Sequence, residues 1–235
     1  MLFKAVIVLG AIVACQGAPF YPQNAEEVRT AIDLFREASN AAMVEGSKTL
    51  KPLLDEIAVS SVAAEEKGHE LVHETMQLAY RQINLSEEEA NNEGIDAYVC
   101  IDAAREELPI LLKRLSKMVM DCGSDARRES NGLVNEVLET SGSEAYYKRK
   151  GYYNEMDICI KQENEACLND ILAVVNEDTQ VFPKELLKRF DQTESSLGDV
   201  EKDMDKCIQN VYVEASDLTE KVVINMNECI KTLIP

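Results

Sequence analysis

The sequence has little positive charge for a chain of 235 residues. Lysine and arginine number 24 against 43 aspartates and glutamates, which gives a formal net charge of −19 at pH 7. A surface with this charge repels the phosphates of nucleic acids and the headgroups of anionic membranes. Because the acidic residues are spread along the chain, they indicate solvated helix faces and not an acidic tail. We therefore expect neither nucleic acid nor membrane among the partners of this protein.

Long hydrophobic runs are also missing. A membrane helix needs about 18 or more apolar residues, whereas the apolar run from Ala5 to Cys15 is shorter and no later segment comes closer. This run follows Lys4 and is followed by small residues such as Gly17, an order that is typical of a secretory signal peptide. We expect residues 1–17 to be a signal peptide, and the product to be secreted and extracellular.

Enzyme motifs are scarce. The sequence contains no glycine-rich phosphate loop, no nucleophile elbow and no cysteine–histidine pair placed for catalysis. Its only two histidines lie in His69-Glu70-Leu71-Val72-His73, the H-E-x-x-H pattern of zinc peptidases. On a helix both imidazoles could share a zinc ion while Glu70 activated the bound water. Glu93 follows in a segment that resembles the third-ligand segment of the gluzincin peptidases.

Three features argue against a zinc peptidase. Zincin domains place the metal helix beneath a mixed sheet, but residues 18–68 have a helical pattern. No histidine follows His73 to support the oxyanion, and Asp96 lies at i+3 from Glu93 where the gluzincin pattern has i+4. We therefore expect no catalytic residue, no cofactor and no metal ligand. A zinc metallopeptidase that uses His69, His73 and Glu93 remains the alternative from another functional class.

Apolar residues recur at intervals of three and four, the helical period, and the alternation typical of strands is nearly absent. The fold class that this predicts is all-α, an elongated helical bundle cross-linked by disulfides. The predicted segments are a helix from Asn24 that ends at Gly46-Ser47, one with Leu54 that ends near Asn84-Leu85, one from Ile101 that is kinked at Pro109 and ends at Cys122-Gly123, a weaker one at Leu133–Leu138, one with Cys159 and Cys167, and one opened by Pro183.

Seven cysteines are present, and one of them, Cys15, belongs to the predicted signal peptide. The six cysteines that remain are an even number, which in a secreted chain implies three disulfides. Residues 18–95 contain no cysteine and are predicted to form amphipathic helices, whereas residues 96–235 are predicted to form a disulfide-bonded helical domain. The six cysteines of the second part are Cys100, Cys122, Cys159, Cys167, Cys207 and Cys229.

The cysteine spacing limits the pairing. Cys100 and Cys122 are 22 residues apart, and so are Cys207 and Cys229, which is about 33 Å on a continuous helix. A disulfide requires Cα atoms within about 7 Å, so bridges must join different helices. Two pairings follow. Antiparallel rods of matched length give Cys100–Cys229 and Cys122–Cys207, with Cys159–Cys167 across a non-helical turn. The preferred pairing keeps all predicted helices intact and is Cys100–Cys229, Cys122–Cys159 and Cys167–Cys207.

This spacing, written Cys-x21-Cys, Cys-x7-Cys and Cys-x21-Cys, resembles that of secreted insect proteins with a TsetseEP-type domain. The resemblance covers about residues 96–232 and includes the closing Cys229-Ile230-Lys231-Thr232-Leu233. It implies an insect source and a secreted protein of the gut or haemolymph. The family supplies no catalytic residues to carry over to this chain.

Two smaller features bear on function. Between Tyr146 and Tyr153 four tyrosines are interleaved with three basic residues, a combination that could stack on sugars, bases or a partner protein. Packing of these tyrosines on neighbouring helices, in a loop or at a helix end, is the favoured interpretation. Asn84-Leu85-Ser86 is the only N-glycosylation sequon, and Asn84 is the predicted glycosylation site.

The sequence therefore predicts a non-catalytic protein that acts by binding or by surface interaction, with defence as one role of that kind. The expected partner is an extracellular protein, a glycan or a small apolar ligand. An alternative of the binding class is a carrier of small apolar ligands between its helices, which an internal cavity would favour and a dense core would disfavour.

Overall fold

The computed structural model describes residues 23–233, so the signal peptide predicted at residues 1–17 lies outside the described residues. Three helices follow one another: α1 is Gln23–Asn92, α2 is Tyr98–Lys161 and α3 is Glu165–Lys231. Between residues 23 and 233 there is no strand, and none of the described helices has a stretch apolar enough to cross a membrane. The predicted all-α fold with disulfide cross-links is confirmed.

The connection between α1 and α2 is a hydrogen-bonded helix end built around Gly94. Gly94 has φ 73°, a left-handed conformation that glycine adopts without a steric penalty. The Ile95 N–H donates to the Ala90 carbonyl at 2.9 Å, and the Gly94 N–H donates to the Asn91 carbonyl at 3.1 Å. These are the two bonds of a Schellman motif. Ile95 packs against the buried cluster that contains Ala90, which fixes the direction in which the chain leaves α1.

The connection between α2 and α3 repeats this geometry, with Glu163 (φ 51°) in the left-handed position. The Asn164 N–H donates to the Cys159 carbonyl at 3.0 Å. The Asn164 side chain accepts a hydrogen bond from the Cys167 N–H at 3.1 Å, so it is the N-cap of α3. Because the chain reverses over three residues, the Cα atoms of Cys159 and Cys167 lie 5.7 Å apart and the two residues form a disulfide.

The other two disulfides join α2 to α3, Cys100 to Cys229 and Cys122 to Cys207, each with a Cα separation of 5.8 Å. The pairing derived from antiparallel rods of matched length is therefore the observed one. The preferred pairing was wrong at Cys122–Cys159 and Cys167–Cys207. It assumed one helix through Cys159 and Cys167, whereas the turn at residues 162–164 separates them.

Two predicted helix ends, at Gly46 and Gly123, are wrong because both glycines lie inside continuous helices. A β-carbon at Gly46 would overlap the ring of Phe190, and one at Gly123 would overlap the side chain of Glu65. Glycine at these positions lets a neighbouring helix approach closely. Neither glycine ends its helix.

The predicted loop or helix end at Tyr146–Tyr153 and the predicted start of the last helix at Pro183 are also wrong. α2 continues through the tyrosines to Lys161, and α3 begins at Glu165 and runs through Pro183. An internal proline removes one backbone hydrogen bond. The helix continues through Pro183 between the buried residues Phe182, 1% exposed, and Leu186, 0% exposed.

The described chain forms two compact units. One consists of residues 23–39 and 145–182, and the other of residues 40–144 and 183–233. In the second unit all three helices contribute to one buried cluster, in which Met76 and Ile83 of α1 pack together with Cys100 and Cys122 of α2. The cysteine-free α1 thus shares its core with the disulfide-bonded helices.

The unit of residues 23–39 and 145–182 has an aromatic core. The Phe35 ring lies edge-on to the Tyr152 ring, with centroids 5.4 Å apart, and 5.5 Å from the Phe182 ring. Rings at these distances and angles attract each other beyond the effect of their buried area. Met156 and Leu168 are also buried in this unit. Tyr152 therefore has the structural role that the favoured interpretation assigned to the tyrosines.

Candidate functional site

The segment from Tyr146 to Tyr153 has an inner face and an outer face. Tyr152 is buried with 7% of its surface exposed, whereas Tyr146 and Tyr147 are 49% and 66% exposed. The packing interpretation thus holds for Tyr152 but not for Tyr146 or Tyr147. The outer face of this segment is the candidate functional site.

The inner face holds the segment in place through a polar group of three residues. The Tyr152 hydroxyl donates to the Asp178 carboxylate of α3, and Lys148 Nζ lies 2.9 Å from Asp178 Oδ2 and 5.4 Å from the centroid of the Phe182 ring. Burial disfavours the Asp178 carboxylate, but hydrogen bonds from Lys148 and Tyr152 outweigh it and lower the Asp178 pKa. Burial, together with Asp178, raises the pKa of Tyr152. These three side chains therefore anchor α2 to α3 and are not free for a ligand.

On the outer face a groove of about 380 Å³ runs beside α2. The α2 residues of this groove recur at three- and four-residue intervals, so they form one stripe along the helix. Arg36 of α1 lies on the other side. The lining consists of Arg36, Tyr146, Arg149, Lys150, Tyr153 and Asn154, which we call the aromatic-basic groove.

Each tyrosine of the aromatic-basic groove contacts neighbouring side chains. The Tyr146 ring lies edge-on to Tyr147, with centroids 5.3 Å apart, and the Arg149 guanidinium lies 5.8 Å from the Tyr146 centroid. The Tyr153 hydroxyl donates to Asp33 Oδ1 at 3.3 Å. Burial, together with the Asp33 carboxylate, raises the pKa of Tyr153, so this phenol stays neutral at physiological pH. Both rings can therefore serve as preformed stacking surfaces.

The charge of this groove is opposite to that of the whole chain. Arg36, Arg149 and Lys150 contribute three cations, and Arg36 lies 3.5 Å from Asp33, where both side chains are more than 40% exposed. Within residues 23–233 neither Arg149 nor Lys150 forms an ion pair. Their charges are thus available to an anionic group, whereas the net charge of the chain is −19.

The α2 half of this groove was predictable from the sequence, whereas Arg36 and Asp33 were not. These two residues form an i, i+3 pair on α1, which looks like any other exposed ion pair in the sequence. Only packing of α1 against α2 brings them beside Tyr153, 120 residues further along the chain. No signal in the sequence distinguishes that pair from the other surface pairs.

The histidine motif lies on α1 without its proposed third ligand. His69 is half-buried and His73 is exposed, one turn apart on the same helix. Because α1 continues to Asn92, Glu93 lies about 30 Å from His73 along the helix axis. Across residues 23–233 no group of three or more acidic, histidine or cysteine side chains could hold a metal ion. The structure therefore does not bring His69, His73 and Glu93 together, and the described part of the chain offers no strand to align a peptide substrate.

The predicted glycosylation site is exposed on α1. Arg105 donates to the Asn84 side-chain oxygen at 2.8 Å, and the Ser86 hydroxyl donates to Asn227 at 2.9 Å. The Asn84 nitrogen that would carry a glycan is not needed for the bond from Arg105. Glycosylation of Asn84 stays a prediction.

One apolar groove of the described residues bears on the carrier hypothesis. The apolar groove beside the Cys100–Cys229 disulfide has a volume of about 200 Å³ and is lined by Val99, Ala103, Val222 and Met226 among others. Small-molecule sites usually have about 300 to 1,000 Å³. This groove is therefore too small to favour a carrier of apolar ligands over a protein that binds its ligand in the aromatic-basic groove.

The chain matches no known family model, no curated protein and no solved structure. Its resemblance to the TsetseEP-type domain, and the function which that resemblance implies, therefore stay predictions.

Proposed function

We propose that this protein is a secreted, non-catalytic binding protein that takes an acidic glycan in the aromatic-basic groove. The observation that carries the proposal is the combination of two positioned tyrosines with the cations Arg36, Arg149 and Lys150 in one groove of about 380 Å³. In a chain with a net charge of −19, such a cluster is a local exception.

An extracellular location is supported by one observation and one prediction. Three disulfides form in the structure, and disulfides persist mainly in oxidising compartments such as the extracellular space. The predicted signal peptide would direct the chain there. Glycans and glycoconjugates are abundant in such fluids, so the proposed ligand class fits the proposed location.

The chemistry of the groove fits an acidic sugar better than an uncharged one. Aromatic faces stack on the apolar faces of rings, as the exposed face of Tyr146 would permit. Arginine presents a planar fork of donors that matches sulfate and carboxylate groups, and Lys150 adds a point charge. Because the rest of the surface is acidic, a long polyanion would be repelled outside the groove. We therefore expect short acidic segments to bind best, with an affinity that falls as salt rises.

Binding to immobilised heparin oligosaccharides and to oligogalacturonate tests this proposal, with dextran as the uncharged reference. The double variant Arg149→Ala/Lys150→Ala should bind at least about tenfold more weakly, since hydrogen bonds to charged groups contribute about 1.5–3 kcal/mol each. The control is Lys117→Ala/Arg128→Ala, which removes two cations that are each 78% exposed and lie outside the groove.

The control variant should keep the affinity of the unmodified protein, because its two cations lie outside the groove. It changes the net charge by the same amount as the groove variant, so it is a matched control. Equal losses in the two double variants would mean that only net charge matters. That result, or failure of the unmodified protein to bind either acidic glycan, would refute the proposal.

A further inference from the structure

A second groove lies between α2 and α3 in the unit of residues 40–144 and 183–233. It extends along α2 from Leu133 to Glu144, about 16 Å of helix axis, and faces residues 189–196 of α3. Its volume of about 440 Å³ is within the usual range of small-molecule sites. It shares no residue with the aromatic-basic groove. We call it the α2–α3 groove.

The α2–α3 groove exists because small polar side chains line the two helices where they face each other. Thr140 and Ser141 of α2 lie opposite Thr193 and Ser196 of α3, and none of these side chains is large enough to fill the space between the helices. At one end Arg189 forms an ion pair with Glu144 and so bridges α3 to α2. The space is thus bounded by an ion pair and lined by hydroxyl groups.

Ser141 stands out among the buried hydroxyl groups. Its side chain is 0% exposed, yet its Oγ has no hydrogen-bond partner among the described residues. Other buried hydroxyls donate to a carbonyl one turn earlier in their own helix, as Ser130 does to Ala126 at 2.7 Å and Thr219 does to Ala215 at 2.8 Å. A buried polar group without a partner is costly. Because Ser141 is among the residues that line the groove, a ligand that reaches its hydroxyl can supply the missing bond.

The polar groups around Ser141 are mostly uncharged. Thr193 and Ser196 donate their hydroxyl protons to carbonyls of α3 at 3.1 Å and keep lone pairs to accept from a ligand. Gln192 offers both a donor and an acceptor. Such a mixture suits a ligand that carries hydroxyl groups, each of which both donates and accepts.

The charges and the apolar side chains of the α2–α3 groove further restrict the class of ligand that it can bind. Glu144 and Arg189 neutralise each other, whereas Glu136 forms no ion pair within residues 23–233, so the groove disfavours an anion. Leu133 and Val137 are half-buried in its wall and can cover the C–H faces of sugar rings. We propose that the α2–α3 groove binds a short, neutral oligosaccharide, with the Ser141 hydroxyl bonded to a sugar hydroxyl or acetamido group.

Isothermal titration calorimetry on the full chain with its disulfides formed tests this proposal. The probes are two neutral trisaccharides, maltotriose and triacetylchitotriose, at least one of which should bind. Ser141→Ala should weaken that binding about tenfold, the effect of one hydrogen bond whose loss leaves its partner unsatisfied. The melting temperature of the free protein should not fall, because the hydroxyl has no partner to lose.

The matched control is Ser130→Ala, which makes the same substitution in the same helix at a buried serine outside the groove. It should keep the trisaccharide affinity. The inference is overturned if neither trisaccharide binds the unmodified protein, if Ser141→Ala binds as the unmodified protein does, or if both serine variants lose affinity equally. Arg149→Ala/Lys150→Ala should leave trisaccharide binding unchanged, which separates this site from the aromatic-basic groove.

Discussion

Gly46 lies on the buried side of α1, where the ring of Phe190 from α3 occupies the space of a β-carbon. In an exposed helix, glycine is less favourable than alanine by about 1 kcal/mol. Gly46→Ala would gain that amount but would force the Phe190 ring, 1% exposed, out of its position. Overpacking of this kind costs about 1–3 kcal/mol, so we expect a net decrease in the free energy of unfolding. Urea denaturation followed by circular dichroism measures it.

Gly132 provides the comparison, because it is an exposed helical glycine with no atom near the position of a β-carbon. Gly132→Ala should raise the free energy of unfolding by about 0.5–1 kcal/mol through helix propensity alone. If Gly46→Ala stabilised the protein as Gly132→Ala does, close packing of Phe190 on α1 would be disproved. The test is whether the same glycine-to-alanine substitution changes the free energy of unfolding in opposite directions at the two positions.

The connections between helices show how one motif tolerates two different residues. Gly94 and Glu163 hold the same left-handed position in their Schellman motifs, with φ 73° and 51°. A residue with a β-carbon is strained there by about 1 kcal/mol. Glu163→Gly should therefore raise the free energy of unfolding by up to about 1 kcal/mol, and Gly94→Ala should lower it by a similar amount. Thermal unfolding of both variants checks the pair, and a loss of stability in Glu163→Gly would contradict the assigned backbone conformation.

The sequence predicts elements better than it predicts their ends. The helical period predicted helix over most of α1, α2 and α3, because buried apolar residues repeat regardless of what lies across from them, but it divided these three helices into six segments. Gly46 and Gly123 look like helix stops, since their partners Phe190 and Glu65 are far away in sequence. The reverse turn at residues 162–164 had only Asn164 as a local signal. Contacts between distant segments decided the two glycine cases.

The candidate site was also only partly predictable from the sequence. Tyr146, Arg149 and Lys150 are close in sequence and were recognised as an unusual combination. Their division into an inner and an outer face depends on the packing of Tyr152 against Phe35 of α1. The α2–α3 groove was not foreseen, because small polar residues such as Thr140 and Thr193 carry no local signal until two helices bring them together.

At the scale of the whole molecule, the disulfides differ in how much chain they enclose. Cys100–Cys229 and Cys122–Cys207 have sequence separations of 129 and 85 residues and are nested, whereas Cys159–Cys167 has a separation of 8. With the inner bridge intact, the outer bridge closes a loop of about 44 residues, the difference between the two separations. In the chain-entropy model a bridge stabilises by restricting the unfolded chain, and more so for a longer loop.

Removing the outer bridge by Cys100→Ser/Cys229→Ser should therefore lower the free energy of unfolding by about 4 kcal/mol, against about 2.5 kcal/mol for Cys159→Ser/Cys167→Ser. The nested bridges should also be non-additive, because without the inner bridge the outer one closes a loop three times as long. Guanidinium denaturation of these two double variants, of Cys122→Ser/Cys207→Ser and of the quadruple variant of the nested pairs measures both effects. Equal losses for the outer and the short bridge would show that native contacts around each bridge, and not loop length, determine its contribution. The order of the free energies of unfolding of these variants thus shows whether the bridges stabilise the protein by restricting the unfolded chain or through contacts in the folded bundle.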